Sequence, residues 1–276
     1  MENNKTSLVT LPGAIIIAGT IIAVAIIFVN RPVQNNNLID NTKSTNETKQ
    51  INLSPVTAED HILGNPNAPI KIVEYSDPSC GYCKIFNSTM TEIMDQYGPT
   101  GKVAWVYRHF PLDKPDQSGY VLHPNAGNES RALFCISTLG GNNKFWEYQK
   151  QFYVMTPSVT SQTPQGLDQK QIPILAKEIG INTVSLAECM NSQEAKDKVS
   201  ADYLSGINAG VSGTPASFVL FDKTIDPTTI SYISNALVQY RIPEDLLFVS
   251  ADQRVISMSG AMPKALVVGL IESLLK

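Results

Sequence analysis

Ile70-Lys-Ile-Val-Glu-Tyr-Ser-Asp-Pro-Ser-Cys80-Gly-Tyr-Cys83-Lys-Ile-Phe-Asn-Ser-Thr-Met-Thr-Glu-Ile-Met-Asp-Gln-Tyr97 decides the fold of this chain. Ile70 to Ser76 is short, apolar and β-branched, the composition of a strand. Ser76-Asp77-Pro78-Ser79 then turns the chain, and Cys80 to Tyr97 reads as a helix. Phe86, Met90, Ile93 and Tyr97 recur on one of its faces, and Gly98-Pro99 ends it. Val103 to His109 (VAWVYRH) is a second strand. A strand, helix, strand run of this length is a βαβ unit, so the two strands should lie parallel in one sheet.

Downstream, Asn125–Leu139, Asn143–Val154 and Ile172–Ile179 carry helical patterns, and Asn182 is placed to cap Val184–Met190. Ala216–Phe221 reads as a buried strand, Arg254–Met258 as another, and Pro263–Leu274 as a final helix with Pro263 at its first position. The order is β-α-β, a helical block, then β-β-α. This predicts an α/β fold, a mixed sheet carrying an inserted helical subdomain over about 124–208. Asp222 to Gln253 is long for a connection between sheet neighbours. Ile230, Ile233 and Leu237 point to a helix within it, which either extends the fold or makes a partner surface.

Upstream, Leu8 to Val29 carries no charged residue and is dense in Ile, Val and Ala. At ~1.5 Å per residue such a helix crosses a hydrocarbon core of ~30 Å. Ala23-Val24-Ala25 would suit a signal-peptide cleavage, yet Ile26-Ile27-Phe28-Val29 prolongs the apolar run past it. An uncleaved anchor is expected: residues 1–7 as a short tail, 8–29 as a transmembrane helix, and 30–55 as a polar, disordered tether. The folded part, 56–276, would then face the outside of a cell membrane as a single-pass protein, where disulfides persist.

Composition narrows the function. The 276 residues carry 21 Lys+Arg against 25 Asp+Glu, a net charge of −4 with no basic stripe, which argues against nucleic acid as a partner. Four cysteines are too few for a disulfide-dense scaffold, so their spacing matters more than their number.

Cys80 and Cys83 stand three apart where a strand turns into a helix, on one side of it and close enough to form a disulfide. Cys80 falls at the helix N-terminus, where unpaired N–H groups and the helix dipole favour a thiolate, the nucleophilic form. Cys83, one turn in, should be more buried and able to attack a mixed disulfide on Cys80. Half of a zinc site and an inert disulfide are the competing readings. Zinc would need a second close pair, whereas Cys135, Cys189 and His61, His109 and His123 are scattered. Glu74 shares strand parity with Ile70 and Ile72. If that face is buried, its carboxylate can take the proton Cys83 must lose; otherwise it is a solvated strand-edge acid.

With these residues in order, Cys80-Gly81-Tyr82-Cys83, Tyr107-Arg108-His109-Phe110-Pro111-Leu112, His123-Pro124, Lys144-Phe145-Trp146 and Val211-Ser212-Gly213-Thr214-Pro215, the chain resembles the DsbA-like thioredoxin-fold proteins, bacterial extracytoplasmic thiol:disulfide oxidoreductases. The resemblance runs from about Thr57 to Lys276. It implies a thioredoxin fold with a helical insertion, catalytic Cys80 and Cys83, and Glu74 as the acid beneath them. It also implies a cis Thr214–Pro215 bond beside the pair and substrate contacts from Thr214, Pro215, Gly81 and Tyr82. Some relatives of this kind hold a second disulfide in the insertion, which here would join Cys135 to Cys189 as a structural staple; two buried free thiols are the other reading. No cofactor or metal is implied. Clients would be unfolded or folding secreted proteins, and a DsbB-type or vitamin K epoxide reductase-like membrane protein would reoxidise the pair.

The dipeptide Gly81-Tyr82 departs from the Pro-His of strongly oxidising members and, with Thr214, also resembles disulfide isomerases. Those carry an N-terminal dimerisation domain, whereas a polar tether is expected here. Oxidase is therefore the first expectation, reductase or isomerase the second, and a tethered binding module without turnover the third. His123 would reach the site only if the inserted helix folds over it.

Overall fold

A computed structural model describes residues 49–157 and 166–276. The expected transmembrane helix over 8–29, and the tether as far as residue 48, lie outside the described residues. No helix among the described residues is long and apolar enough to cross a membrane.

β1 (His61–Gly64), β2 (Ile70–Ser76), α1 (Gly81–Tyr97) and β3 (Val103–His109) open the fold. Five helices follow: α2 (Ala126–Gly140), α3 (Asn142–Met155), α4 (Gln171–Glu178), α5 (Thr183–Asn191) and α6 (Gln193–Asn208). The chain closes with β4 (Ala216–Phe221), α7 (Pro227–Tyr240), β5 (Leu247–Val249), β6 (Val255–Ser259) and α8 (Lys264–Leu274). The sheet order is β1-β3-β2-β4-β6-β5. β2 and β3 are parallel, as the βαβ reading requires, and every other pairing is antiparallel.

Strand alternation sorts the core into two layers. Ile70, Ile72, Val103, Trp105 and Tyr107 face α1, α8 and the helical insertion, in the larger apolar cluster. Val73, Tyr75, Val106 and Phe218 face the opposite side, with Phe110 and Val211. Gly206 of α6 lies against this second layer, where an added Cβ would come within 2.6 Å of the Phe110 ring.

The helical expectations agree with the structure within a residue or two at most ends. Asn182 caps α5, its side chain accepting from the N–H groups of Val184 and Ser185. Pro263 stands one position earlier than expected, as the N-cap of α8 with φ −58° and ψ 137°. Three elements had no counterpart in the sequence reading. β1 and β5 are short strands that cover the edges of β3 and β6. α6 buries only Ala195, Val199, Asp202 and Gly206, a narrow stripe.

The long connection after β4 extends the fold. Asp226 caps α7, accepting from the N–H groups of Thr228 and Thr229. Ile233 and Ala236 sink into the larger core, and the Tyr232 hydroxyl donates to the Leu266 carbonyl of α8 at 2.9 Å. β5 then adds one strand to the sheet.

Candidate active site

The site forms where the carboxyl ends of two sheet strands meet the start of α1. Cys80 is the N-cap residue, with extended backbone (φ −79°, ψ 124°), and it makes no side-chain capping bond. Its sulfur therefore stands at a helix N-terminus with nothing covalently closing it. Both Cys80 and Cys83 are unbridged, Cys80 7% exposed and Cys83 fully buried.

Their environments drive the two thiols apart. A hydrogen bond from Cys83 lowers the Cys80 pKa most, with help from Thr214, and these outweigh burial. The Cys80 sulfur lies 3.5 Å from the Thr214 carbonyl. Burial raises the Cys83 pKa well above the ordinary thiol value, and its donation to Cys80 and the nearby Cys80, Glu74 and Asp77 charges add to that. Of the two, Cys80 ionises first and Cys83 holds its proton, the order that thiol–disulfide exchange uses.

Glu74 lies on the Ile70/Ile72 face and is 1% exposed. The indole N–H of Trp105 donates to its Oε2 at 2.9 Å, while Oε1 has no partner among the described residues. Burial pushes its pKa up to about 7, against hydrogen bonds from Ser76 and Trp105. A carboxyl poised near neutrality can act as acid or base, and its charge is felt at Cys83.

Thr214–Pro215 is a cis peptide leading into β4. Gly81 is buried, and Tyr82 is 62% exposed on the rim beside Cys80. Cys135 of α2 and Cys189 of α5 are joined by a disulfide, with Cα atoms 5.8 Å apart. No cluster of three metal-binding side chains occurs among the described residues.

Asp77 and Glu129 escaped the sequence reading. Asp77 is fully buried in the turn before Cys80. Its Oδ1 accepts from the Ser79 N–H at 2.7 Å, and its Oδ2 accepts from the Leu112 N–H at 2.8 Å and meets His123 Nδ1 at 2.7 Å. Glu129, on α2, accepts from the Ser79 hydroxyl at 2.6 Å, the Leu167 N–H at 2.9 Å and the Gln169 side chain at 2.9 Å. Burial pushes it to about 7. A carboxylate at 129 falls among Ala126, Ser130 and Leu133 on the buried stripe of α2, which is the one sequence signal that marks it.

A family model described as Thioredoxin matches residues 56–238, about two-thirds of the chain. The chain belongs to the thioredoxin family. Among relatives of this family, a candidate protein-disulfide oxidoreductase of Rickettsia felis is 23% identical over 198 residues, 68% of this chain and 66% of that protein. A segment of 102 residues is 31% identical to part of a Na(+)/H(+) antiporter NhaA 1 of Mycolicibacterium gilvum; it covers 37% of this chain and 15% of the antiporter. The chain thus spans less than two-thirds of the length of either relative. Two solved structures share the fold. Wolbachia pipientis alpha-DsbA1 has a TM-score of 0.57 at 20% identity, covering 80% of this chain and 92% of that one. Oxidised BdbD from Bacillus subtilis has a TM-score of 0.57 at 17% identity, covering 83% and 100%.

Proposed function

We propose that this protein is a thiol:disulfide oxidoreductase of DsbA type that exchanges disulfides with folding secreted proteins, working as an oxidase. The observation that carries the reading is the inequality of the two thiols. One, at a helix N-cap and hydrogen-bonded by Cys83, is easily ionised; the other is buried near a carboxyl of pKa about 7.

In the oxidising direction a substrate thiolate attacks Cys80 Sγ of the Cys80–Cys83 disulfide. A new S–S bond forms as the old one breaks, and the electron pair leaves on Cys83, which Glu74 protonates. A second substrate thiolate then attacks the substrate sulfur of the mixed disulfide and releases Cys80 as a thiolate. The substrate loses two electrons and the pair gains them. Thr214 and Pro215, with Gly81 and Tyr82 on the rim, are the proposed seat for an extended substrate segment, in the manner of strand addition.

Reoxidation needs an electron acceptor, and a quinone-linked membrane protein of DsbB or vitamin K epoxide reductase type is the proposed one. The apolar run Leu8–Val29 supports a membrane tether with the folded part extracytoplasmic. The test is the equilibrium of the full chain with glutathione, following Cys80 and Cys83 separately from Cys135 and Cys189 by peptide mapping. A pair more oxidising than glutathione is expected. A pair markedly more reducing would move the protein to the reductases or isomerases. No exchange at all, with binding kept in Cys80→Ser, would make it a binding module.

A further inference from the structure

The Cys80-Gly81-Tyr82-Cys83 dipeptide supplies no cation to the Cys80 thiolate. The structure brings a titratable imidazole from the loop before α2. His123 is 3% exposed, just before α2, and its Nδ1 lies 2.7 Å from Asp77 Oδ2. Its backbone ties it to the same turn region, accepting from Ala126 N–H and donating to the Leu112 carbonyl. Leu112 in turn donates to Asp77 Oδ2.

Asp77 touches both cysteines through its own backbone. Its carbonyl accepts from the Cys80 N–H at 3.0 Å, and its N–H donates to Cys83 Sγ at 3.4 Å. Its carboxylate thus belongs to the turn whose backbone holds both cysteines. An unneutralised negative charge there works against a thiolate at either cysteine.

Resting on the exchange reading above, we propose that His123 is a positioning residue of the redox site. Held on Asp77 as an imidazolium, it neutralises the Asp77 carboxylate and thereby favours the Cys80 thiolate and the dithiol form of the pair.

Asp77 is the charge that the cysteines and His123 share. Asp77 raises the pKa of both cysteines. Burial disfavours the charged form of His123, but the Asp77 hydrogen bond and charge, the Cys80 charge and Glu129 outweigh it, so its pKa lies above the ordinary value. Asp77, Cys80 and Glu129 are the ionisable groups that act on it. Coupling between two sites is reciprocal: if His123 favours the Cys80 thiolate, that thiolate favours protonated His123 by the same factor.

Two measurements on the full chain test this. The first follows the His123 imidazole by NMR against pH in the reduced protein and in Cys80→Ser. His61 and His109, held neutral by burial down to about pH 3, leave the region clear. His123 should titrate about one pKa unit lower in Cys80→Ser, a tenfold change; identical titrations overturn the proposal. The second is the glutathione equilibrium in His123→Gln, which keeps an N–H for Asp77 but loses the charge. The reaction is Cys80–Cys83 disulfide plus two glutathione thiols giving the dithiol plus glutathione disulfide, with two electrons passing to the pair. His123→Gln should shift it about tenfold toward the Cys80–Cys83 disulfide, matching the NMR factor. A variant that is less stable to heat but unshifted in this equilibrium would make His123 merely structural and overturn the proposal. If the wild-type pair does not exchange at all, the exchange reading fails, and the NMR comparison still decides the coupling.

Discussion

The chain's two cysteine pairs share a chemistry and differ in everything around it. Cys80 and Cys83 stand three residues apart at the start of α1, with backbone N–H groups, the Thr214 carbonyl, Asp77 and Glu74 about them. Cys135 and Cys189 stand 54 residues apart on α2 and α5, in apolar packing, and are joined. Only the first pair has groups that discriminate between its two sulfurs, and only it has a sulfur at a helix N-cap beside the Thr214 carbonyl. The second closes a long loop between helices. Reactivity is thus written in the surroundings of the sulfur rather than in the cysteine itself.

The sharpest way to break that distinction is to remove one sulfur of each pair. Cys80→Ser should reduce disulfide exchange with a reduced or scrambled protein substrate to background, because Cys80 is the readily ionised sulfur at the helix N-cap on which exchange begins. Cys135→Ala/Cys189→Ala should leave the exchange rate and the glutathione equilibrium of the first pair within about twofold. Retained turnover in Cys80→Ser, or a large loss in the double variant, would erase the division of labour.

The second pair should show itself in stability instead. Opening the Cys135–Cys189 loop frees the unfolded chain, at a cost of about 2–4 kcal/mol by the entropic account, whose mechanism is model-dependent. Denaturant unfolding of Cys135→Ala/Cys189→Ala, with the first pair held reduced, checks it. A change below about 0.5 kcal/mol would mean that the α2–α5 packing needs no staple.

Glu74 tests the other half of the comparison, the claim that a buried carboxyl serves Cys83. With a pKa of about 7, it is a base above that pH and an acid below it. Exchange steps in which Cys83 must lose its proton should therefore accelerate as pH rises through about 7. In Glu74→Gln that acceleration should vanish and the rate at pH 8 fall by about 10- to 100-fold. An unchanged pH profile would return Glu74 to a structural role as the acceptor for Trp105.

How much of this was legible in the sequence follows from where each signal lies. The turn from Ile70 through Tyr97 is local, so strand, helix and the Cys80/Cys83 placement could all be read from periodicity and one break. Even the face of Glu74 followed from parity with Ile70 and Ile72. Asp77 could not be recognised, because its partners Leu112 and His123 are 35 and 46 residues away and meet it only in the fold. β1 and β5 are too short to show an alternation, and their pairing is set by the edges they cover. α6 hid for the opposite reason: it buries a stripe as narrow as Ala195, Val199, Asp202 and Gly206, while Leu204 and Ile207 stand exposed and blur the apolar periodicity.

Acid acts on the surroundings of the first pair. His61 and His109 are buried near the first pair's strands, stacked through His61 on Phe145, with His61 Nε2 and both His109 ring nitrogens unpartnered among the described residues. Burial lowers both to about 3, well below the 6.5 of an unfolded chain. Their contribution is therefore complete above about pH 6.5 and is lost as pH falls toward 3, at up to about 1.4 kcal/mol per pH unit for each. Glu74 and Glu129 act oppositely. Their folded values of about 7 lie above the unfolded 4.5, so they add stability as pH falls from 7 to 4.5 and nothing further below that. The two effects offset each other between about pH 6.5 and 4.5; below it the histidines act without that offset, joined by Asp116, Asp226 and Asp252, whose carboxyls the fold holds below their ordinary value. Thermal unfolding should accordingly vary little across the first interval and fall steeply in the second. His109→Gln should flatten the fall, whereas Cys135→Ala/Cys189→Ala should lower the whole curve without changing its shape. A steep loss already at pH 6, or a change of shape in the disulfide variant, would place ionisable groups around the second pair as well and dissolve the contrast between the two.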